Sequence, residues 1–428
     1  MDAEILYRKT YDMKTFTYLS FLLCTIGMMG QQKLTLQDCE RQFLDKNLML
    51  LASHYNIDQA QAAVLQSKIW DLPQVGGEVN AWAPNNDQKF FNAGKEGQKA
   101  AYIQQVIKIG GQRKNQIELA KSNAAITQLD FDQLLRDLKF QLRTAFFAIY
   151  FDTQSIAEID KQRDNLKTLI DAYSLQTQKG NVSLKDLVRL QNLYLSLKSD
   201  RNALMTEILD NKNVLITLLN SNDINLTPAP TPQELEVYQA GLLYQPEQLQ
   251  QMALTNRPDV LRSQKVLEAD NWNIKLQKSL ALPSITLGAA YDQRGGAFNN
   301  QTNLTLGIPL PLWNQNKGNI KIAKFQLDQD KAGNQQKNLE VQNEVTTAYQ
   351  KYVELKDSFV SSRSPIAQDL ETVYQGIYTN FKKSNISILE FTDFMESYNS
   401  SVITLNQFHK NLINACETLN YATAAKLF

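Results

Sequence analysis

The stretch Asn303–Gln326 changes its period midway, and that change limits the folds open to this chain. Over Asn303–Ile308, Leu304, Leu306 and Ile308 alternate with polar or small residues, as one face of a strand does. Pro309 and Pro311 end the ladder because neither carries an N–H to donate. Trp313 follows, and from Asn316 the apolar positions Ile320, Ala323 and Leu327 fall at helical spacing. A strand therefore feeds one long helix. Tyr102–Ala120 makes the same change in the same direction, with Gly110 and Gly111 at the joint in place of prolines.

The rest of the chain fits two passes through one plan. Leu34–Trp70 reads as a helix stopped by Pro73, and Val75–Trp82 and Ala101–Ile109 read as strands on either side of a polar loop. Gln112–Gln178 reads as a very long helix whose apolar seam (Leu134, Leu138, Leu142, Ala145, Ile149, Ile156, Ile159, Leu166, Ile170) has coiled-coil spacing. Lys179-Gly180-Asn181 breaks it and Leu184–Asn220 resumes the seam. So short a turn makes the two helices antiparallel.

Asn220–Gln245 has Pro228, Pro230 and Pro232 and no strong period, so it reads as a connector. After it the order restarts: helix Pro246–Leu280, strands Ser284–Tyr291 and Thr302–Leu310, long helix Trp313–Lys382, turn Lys383-Ser384-Asn385, last helix Ile386–Phe428. Leu72-Pro73 recurs as Leu282-Pro283, and Gly180-Asn181-Val182-Ser183 as Ser384-Asn385-Ile386-Ser387. The longer polar loop after Trp82 absorbs the difference in spacing. Pro365 has no counterpart in the first copy and predicts a kink. The domains are thus a first repeat over 31–220, a connector over 221–246 and a second repeat over 247–428.

The amino end carries an address. Lys14 precedes an apolar run, Phe16–Met29, too short to span a membrane as a helix, so 1–30 reads as a secretory signal with Met13 as the natural start. Small residues at Gly27 and Gly30 offer cleavage positions. Leu23 before Cys24 is too large for a lipobox, which leaves a lipid anchor at Cys24 as the alternative. No later run approaches the length of a membrane helix, so a mature chain that enters a membrane does so with strands.

Several function classes drop out. Lys+Arg and Asp+Glu both number 44 and no basic patch appears, which argues against nucleic acid as a partner. His54 and His409 lack ligand spacing, and Cys39 and Cys416 show no partner spacing, so neither a metal site nor a cofactor is expected. Gly110-Gly111 lacks the pattern of a phosphate loop, and no nucleophile–base constellation appears. An enzyme is not expected.

Lengths supply the architecture. Gln112–Gln178 spans roughly 100 Å as a helix, and Leu34–Trp70 and Leu184–Asn220 each span roughly 55 Å, so two short helices end to end match one long one. The fold class is therefore mainly α with a small β part: two tandem repeats of long antiparallel coiled-coil helices, with four β-strands per chain. Four strands cannot close a membrane barrel, which needs at least ~8. A cyclic trimer supplies twelve and removes every sheet edge, giving a 12-stranded β-barrel continued below by twelve columns of helix as one long tube.

These residues resemble the TolC-like outer-membrane factors of tripartite efflux pumps and type I secretion. The resemblance is carried by the repeat order, by Asn256-Arg257-Pro258-Asp259 and Leu282-Pro283, and by Gly307-Ile308-Pro309-Leu310 before the second long helix. Pro309–Ile320 looks most like the cation-efflux (heavy-metal RND) branch. The resemblance covers nearly all of the mature chain and implies a homotrimer in the outer membrane of a Gram-negative cell. It also implies a tunnel through the periplasm, a periplasmic adaptor protein and an inner-membrane pump of the RND type. It places adaptor contacts at the helix turns, here Lys179, Gly180, Asn181, Val182 and Ser183, and Lys383, Ser384, Asn385, Ile386 and Ser387. It places gate carboxylates just after them: Asp186 in the first copy, Glu390 and Asp393 in the second. Threefold rings of carboxylate in a narrow pore attract cations and repel anions.

Each site has a plainer account. Glu390 and Asp393 also fit a solvated helix face, Arg189 stands close enough in sequence to neutralise Asp186, and Gly180-Asn181 is first of all a turn needing unusual backbone angles. Trp82, Tyr291 and Trp313 flank the strands as an aromatic belt would, or pack in the core. The function expected is a passive exit duct carrying substrate from periplasm to exterior, with metal, drug and protein cargo all open. The alternatives are a type I secretion channel and, from another class, a periplasmic coiled-coil adaptor or scaffold. A scaffold needs no paired strands after each Leu-Pro.

Overall fold

A computed structural model describes residues 33–84, 90–295, 297–313, 315–362 and 365–428. The expected signal segment, Met13 and Cys24 lie outside them. In chain order the elements are β1 (Lys33–Leu34), α1 (Leu36–Lys46), α2 (Leu48–Ser67), β2 (Gln74–Trp82), β3 (Phe90–Asn92), β4 (Gln98–Ile107), α3 (Gln112–Gln178) and α4 (Leu184–Leu219). Then come β5 (Thr227–Pro228), α5 (Pro232–Gln239), α6 (Pro246–Asn256), α7 (Pro258–Ser279), β6 (Ile285–Arg294), β7 (Phe298–Gly307), α8 (Lys317–Ser362), α9 (Pro365–Lys382) and α10 (Ile388–Thr423).

The range of α3 is the one its seam predicts, and every side chain named in that seam from Leu138 to Leu166 is buried. Four expectations need correction. The helix expected over Leu34–Trp70 is two, α1 and α2, because Asn47 turns out of the helix (ψ 119°) and its Nδ2 donates to Leu218 O at 2.8 Å. Pro246–Leu280 likewise divides at Arg257, since the ring of Pro258 disfavours helical backbone in the residue before it. The helix expected to begin at Trp313 begins at Lys317, and it is described as α8 and α9 on either side of 363–364, with Pro365 opening α9.

The strand count also changes. The chain contributes five strands to one sheet rather than four, because Phe90–Asn92 inside the first polar loop pairs with β2 at Asn80 and Trp82. A two-residue parallel pair adds a second small sheet, joining β1 at the start of the first repeat to β5 in the connector. The connector is also less irregular than its composition suggests, since α5 opens on a Thr231–Glu234 capping box with Pro232 at its start.

Two compact units are cut across the chain. One comprises the described residues up to Asn47 with Gln141–Gly241 and Leu355–Asn414. The other comprises Leu48–Phe140, Leu242–Glu354 and Ala415–Phe428. The first packs α3, α4, α9 and α10 around Ile159, Leu166, Leu190, Leu197, Tyr374 and Phe391. The second carries the five-stranded sheet in the order β3-β2-β4-β6-β7, with every neighbouring pair antiparallel.

Candidate functional site

The sheet has two chemically different faces. Its register sets Val75, Ile103, Ala289 and Leu304 in one row, and the same face holds Ala101, Leu287, Tyr291 and Leu306. One residue along, the rows read Gln74, Gln104, Gly288, Thr305 and Glu78, Ala100, Asp292, Gln301. This second face is polar and bonded to itself: Gln104 Nε2 donates to Gln74 Oε1 at 2.7 Å and Gln98 Nε2 to Glu78 Oε1 at 2.9 Å. The apolar face is bare, with Leu304 89% and Leu306 65% exposed. Such a face calls for an apolar surrounding.

Both sheet edges are open. Among the described residues the outer edge of β7 has no partner strand, and β2 is bonded by β3 only near Asn80 and Trp82, leaving Gln74–Val79 unpaired on that side. Unpaired backbone of this length demands a partner. Of the expected belt aromatics, Tyr291 lies on the apolar face and its hydroxyl donates to Asn300 Oδ1 at 2.7 Å. Trp82 falls by alternation on the polar face opposite Phe90, and Trp313 is 93% exposed beyond the proline strap.

The two helix turns are bonded alike. In the first, Gly180 N donates to Thr177 O and Asn181 N to Gln176 O at 2.9 Å, and Asn181 Nδ2 donates to Gln176 Oε1. In the second, Ser384 N donates to Phe381 O and Asn385 N to Asn380 O at 2.9 Å, and Asn385 Nδ2 donates to Asn380 Oδ1. Both require a left-handed residue at one position, which is Gly180 (φ 75°) in one and Ser384 (φ 59°) in the other. Ser183 and Ser387 then cap α4 and α10, accepting from Asp186 N and Glu390 N.

The three expected gate carboxylates are therefore not equivalent. Glu390 closes a capping box, with Ser387 N and Oγ both donating to its Oε2 at 2.9 Å. The backbone bond first, then the hydroxyl, holds its carboxyl below the usual range. Asp186 is half-buried one turn into α4, and Asp393 is exposed on α10. All three follow a turn, and Glu390 and Asp393 stand in solvent.

Sequence reading missed what ties these helices together. Lys161 of α3 pairs with Glu371 of α9 at 2.5 Å, and the Tyr398 hydroxyl of α10 donates to the same carboxylate at 2.9 Å. Burial pushes the Tyr398 hydroxyl pKa up, and the adjacent Glu371 charge adds to it. Asn165 Nδ2 donates to the Tyr374 hydroxyl at 2.7 Å, and Phe381 and Phe391 stack with centroids 4.1 Å apart. Both tyrosines are buried in the core of this unit. Nothing in their spacing signalled a shared carboxylate.

Comparison with known proteins agrees with this geometry. Residues 249–422 match the family model described as outer membrane efflux protein. The chain is similar to the cation efflux system protein CusC of Escherichia coli O157:H7, at 23% identity over 366 residues, covering 82% of this chain and 77% of that one. It is similar to the cobalt-zinc-cadmium resistance protein CzcC of Cupriavidus metallidurans, at 21% identity over 306 residues, covering 69% and 67%. Its fold matches a crystal structure of CusC with a TM-score of 0.73 at 20% identity, over 91% of this chain and 92% of that one. Over residues 249–422 the chain is thus similar to the outer membrane efflux proteins, and over 91% of its length it shares the fold of CusC.

Proposed function

We propose that the protein is the passive exit duct of a tripartite efflux pump, conducting metal cations from the periplasm to the exterior. The observation that carries this is the two-faced sheet with two open edges. Three copies joined β7 to β2 alternate strand direction all round, bury both edges, turn Leu304, Leu306 and Ile103 to lipid and line a channel with Gln74, Glu78 and Thr305. Four long strands from each copy make twelve, and β3 caps the upper end of each seam.

Adaptor hairpins contact Lys179–Ser183 and Lys383–Ser387, and an inner-membrane pump of the RND type supplies the energy. Asp186, Glu390 and Asp393, each repeated three times around the pore, select cations. Tyr291 and Trp313 stand at the membrane interfaces, whereas Trp82 falls on the face that lines the channel. The cation cargo is supported by the names of the relatives CusC and CzcC.

Thiol labelling in lipid vesicles tests the duct. Cys39 and Cys416 are fully buried and give little background. Glu78→Cys and Thr305→Cys are expected to react with a charged, water-soluble maleimide, and Leu304→Cys and Ile103→Cys to be shielded until detergent is added. Equal labelling of all four positions, or migration as a monomer, would refute the duct.

A further inference from the structure

The foot of the apolar face opens into a groove that no part of the duct uses. Gln105 lies on that face, in the row of Leu287 and Leu306, and its Nε2 donates to Asp71 O at 2.7 Å. The link between α2 and β2 is thereby held directly beneath the residues that meet lipid. Trp70, Asp71 and Leu72 of this link, with Lys108 after β4 and Arg113 in the first turn of α3, line a cavity of about 1080 Å³. Trp70 is 63% and Leu72 81% exposed, so the apolar surface continues into the groove rather than ending above it.

The charge in this groove is positive and already oriented. The Arg113 guanidinium lies 4.5 Å from the Trp70 ring centre and donates through one terminal nitrogen to Lys68 O. Its Nε is buried and has no hydrogen-bond partner, and no carboxylate pairs with it among the described residues. Lys108 bridges to Asp71 at 3.0 Å, the one acidic residue lining the cavity. A stacked arginine, a lysine beside it, an interfacial tryptophan and apolar walls above match one ligand chemistry. That is a phosphodiester attached to acyl chains.

We infer that this groove binds the headgroup of an anionic phospholipid in the periplasmic leaflet, with Arg113 and Lys108 on the phosphate, Trp70 at the glycerol level and the chains against Ile103, Ile107 and Leu287. The site rests on the duct reading only in requiring that the apolar face be the one in lipid. A bound lipid here fixes the depth of the sheet at its inner rim, where Pro73 and Gly110 join strands to helices.

The test uses the detergent-purified assembly titrated with dioleoylphosphatidylglycerol and read by native mass spectrometry. Each basic residue near an anionic surface contributes about a factor of five, so Lys108→Gln with Arg113→Gln is expected to weaken retention about twenty-fivefold. Lys108→Gln alone leaves the Arg113–Trp70 stack intact and is expected to cost about fivefold, with the oligomer unchanged. Lys114→Gln, exposed on the next position, is expected to change nothing. Undiminished retention in the Lys108→Gln protein overturns the site, as does equal competition by inorganic phosphate, which would make it a free-anion site. Dissociation of the oligomer in the Lys108→Gln protein also overturns it, because a second copy would then be the occupant. Failure of the thiol-labelling pattern removes the duct itself, whereas intact labelling with unaltered lipid retention removes only this site.

Discussion

Ser387 and Glu390 hold each other reciprocally: Glu390 N donates to Ser387 Oγ at 3.2 Å while Ser387 N donates to Glu390 Oε2 at 2.9 Å. The carboxylate proposed to face the pore is thus also the cap of α10. The two roles separate by substitution, because glutamine keeps an acceptor oxygen at the third helical position and loses the charge. Glu390→Gln with Asp393→Asn is expected to leave the melting temperature nearly unchanged and to lower cation-over-anion selectivity roughly threefold in planar bilayers. Unchanged selectivity and divalent block would remove these carboxylates from the conduction path.

Ser384 occupies the backbone conformation that Gly180 occupies in the other turn. A side chain in the left-handed region costs about 1 kcal/mol, partly offset by the freedom glycine gains when unfolded. Ser384→Gly is therefore expected to stabilise by about 0.5 kcal/mol and Gly180→Ala to destabilise by about 1 kcal/mol. Nothing lies within 4 Å of a Cβ built on Gly180, so the second effect is one of backbone alone. Denaturant titration of the solubilised protein, comparing both variants with wild type, reads the two signs.

Arg257 is 3% exposed and makes a two-pronged contact with Asp259 at 3.0 and 2.7 Å, a bond to Glu344 at 2.5 Å and one to Ala422 O at 3.2 Å. Its pairing with those carboxylates outweighs burial and raises its pKa further. Arg257→Met leaves Asp259, in the first turn of α7, with only the longer contact to Arg136 at 4.0 Å and is expected to cost about 3 kcal/mol. Lysine recovers the charge but not the fork, so Arg257→Lys is expected to recover less than half of that loss in thermal unfolding.

Acid should find the same place. Burial works against the Asp259 charge, but the bonds from Arg257 outweigh it and the carboxyl sits below its ordinary value. A depressed folded pKa contributes stability that is complete above the unfolded value near 4 and lost as pH falls through the lower folded value. Wild type is expected to lose more stability between about pH 6 and pH 3 than Asp259→Asn does. Parallel pH profiles from denaturant midpoints would count against this.

The sequence by itself determined the elements whose periodicity is long and unbroken. The α3 seam spells its own range, and the four long strands lie at the alternating stretches beside Pro73, Gly110, Pro283 and Pro309. These outcomes depend on neighbours within a few residues, through backbone angles fixed by Pro and Gly and a burial pattern repeated every turn or every second residue. The turns at Gly180 and Ser384 were legible for the same reason. Their matching backbone bonds join atoms only three or five residues apart.

Only the tertiary structure decided the rest. β3 exists because Phe90 and Asn92 find the free edge of β2, and three residues have no period to read. Asn47 breaks its helix to reach Leu218, 171 positions away in sequence, and Lys161, Glu371 and Tyr398 share a carboxylate across three helices. The Arg113–Trp70 groove likewise joins a loop, a strand end and a helix start. Such contacts are chosen by the geometry of packed elements, and side-chain hydrogen bonds between distant segments leave no spacing in the chain from which to infer them.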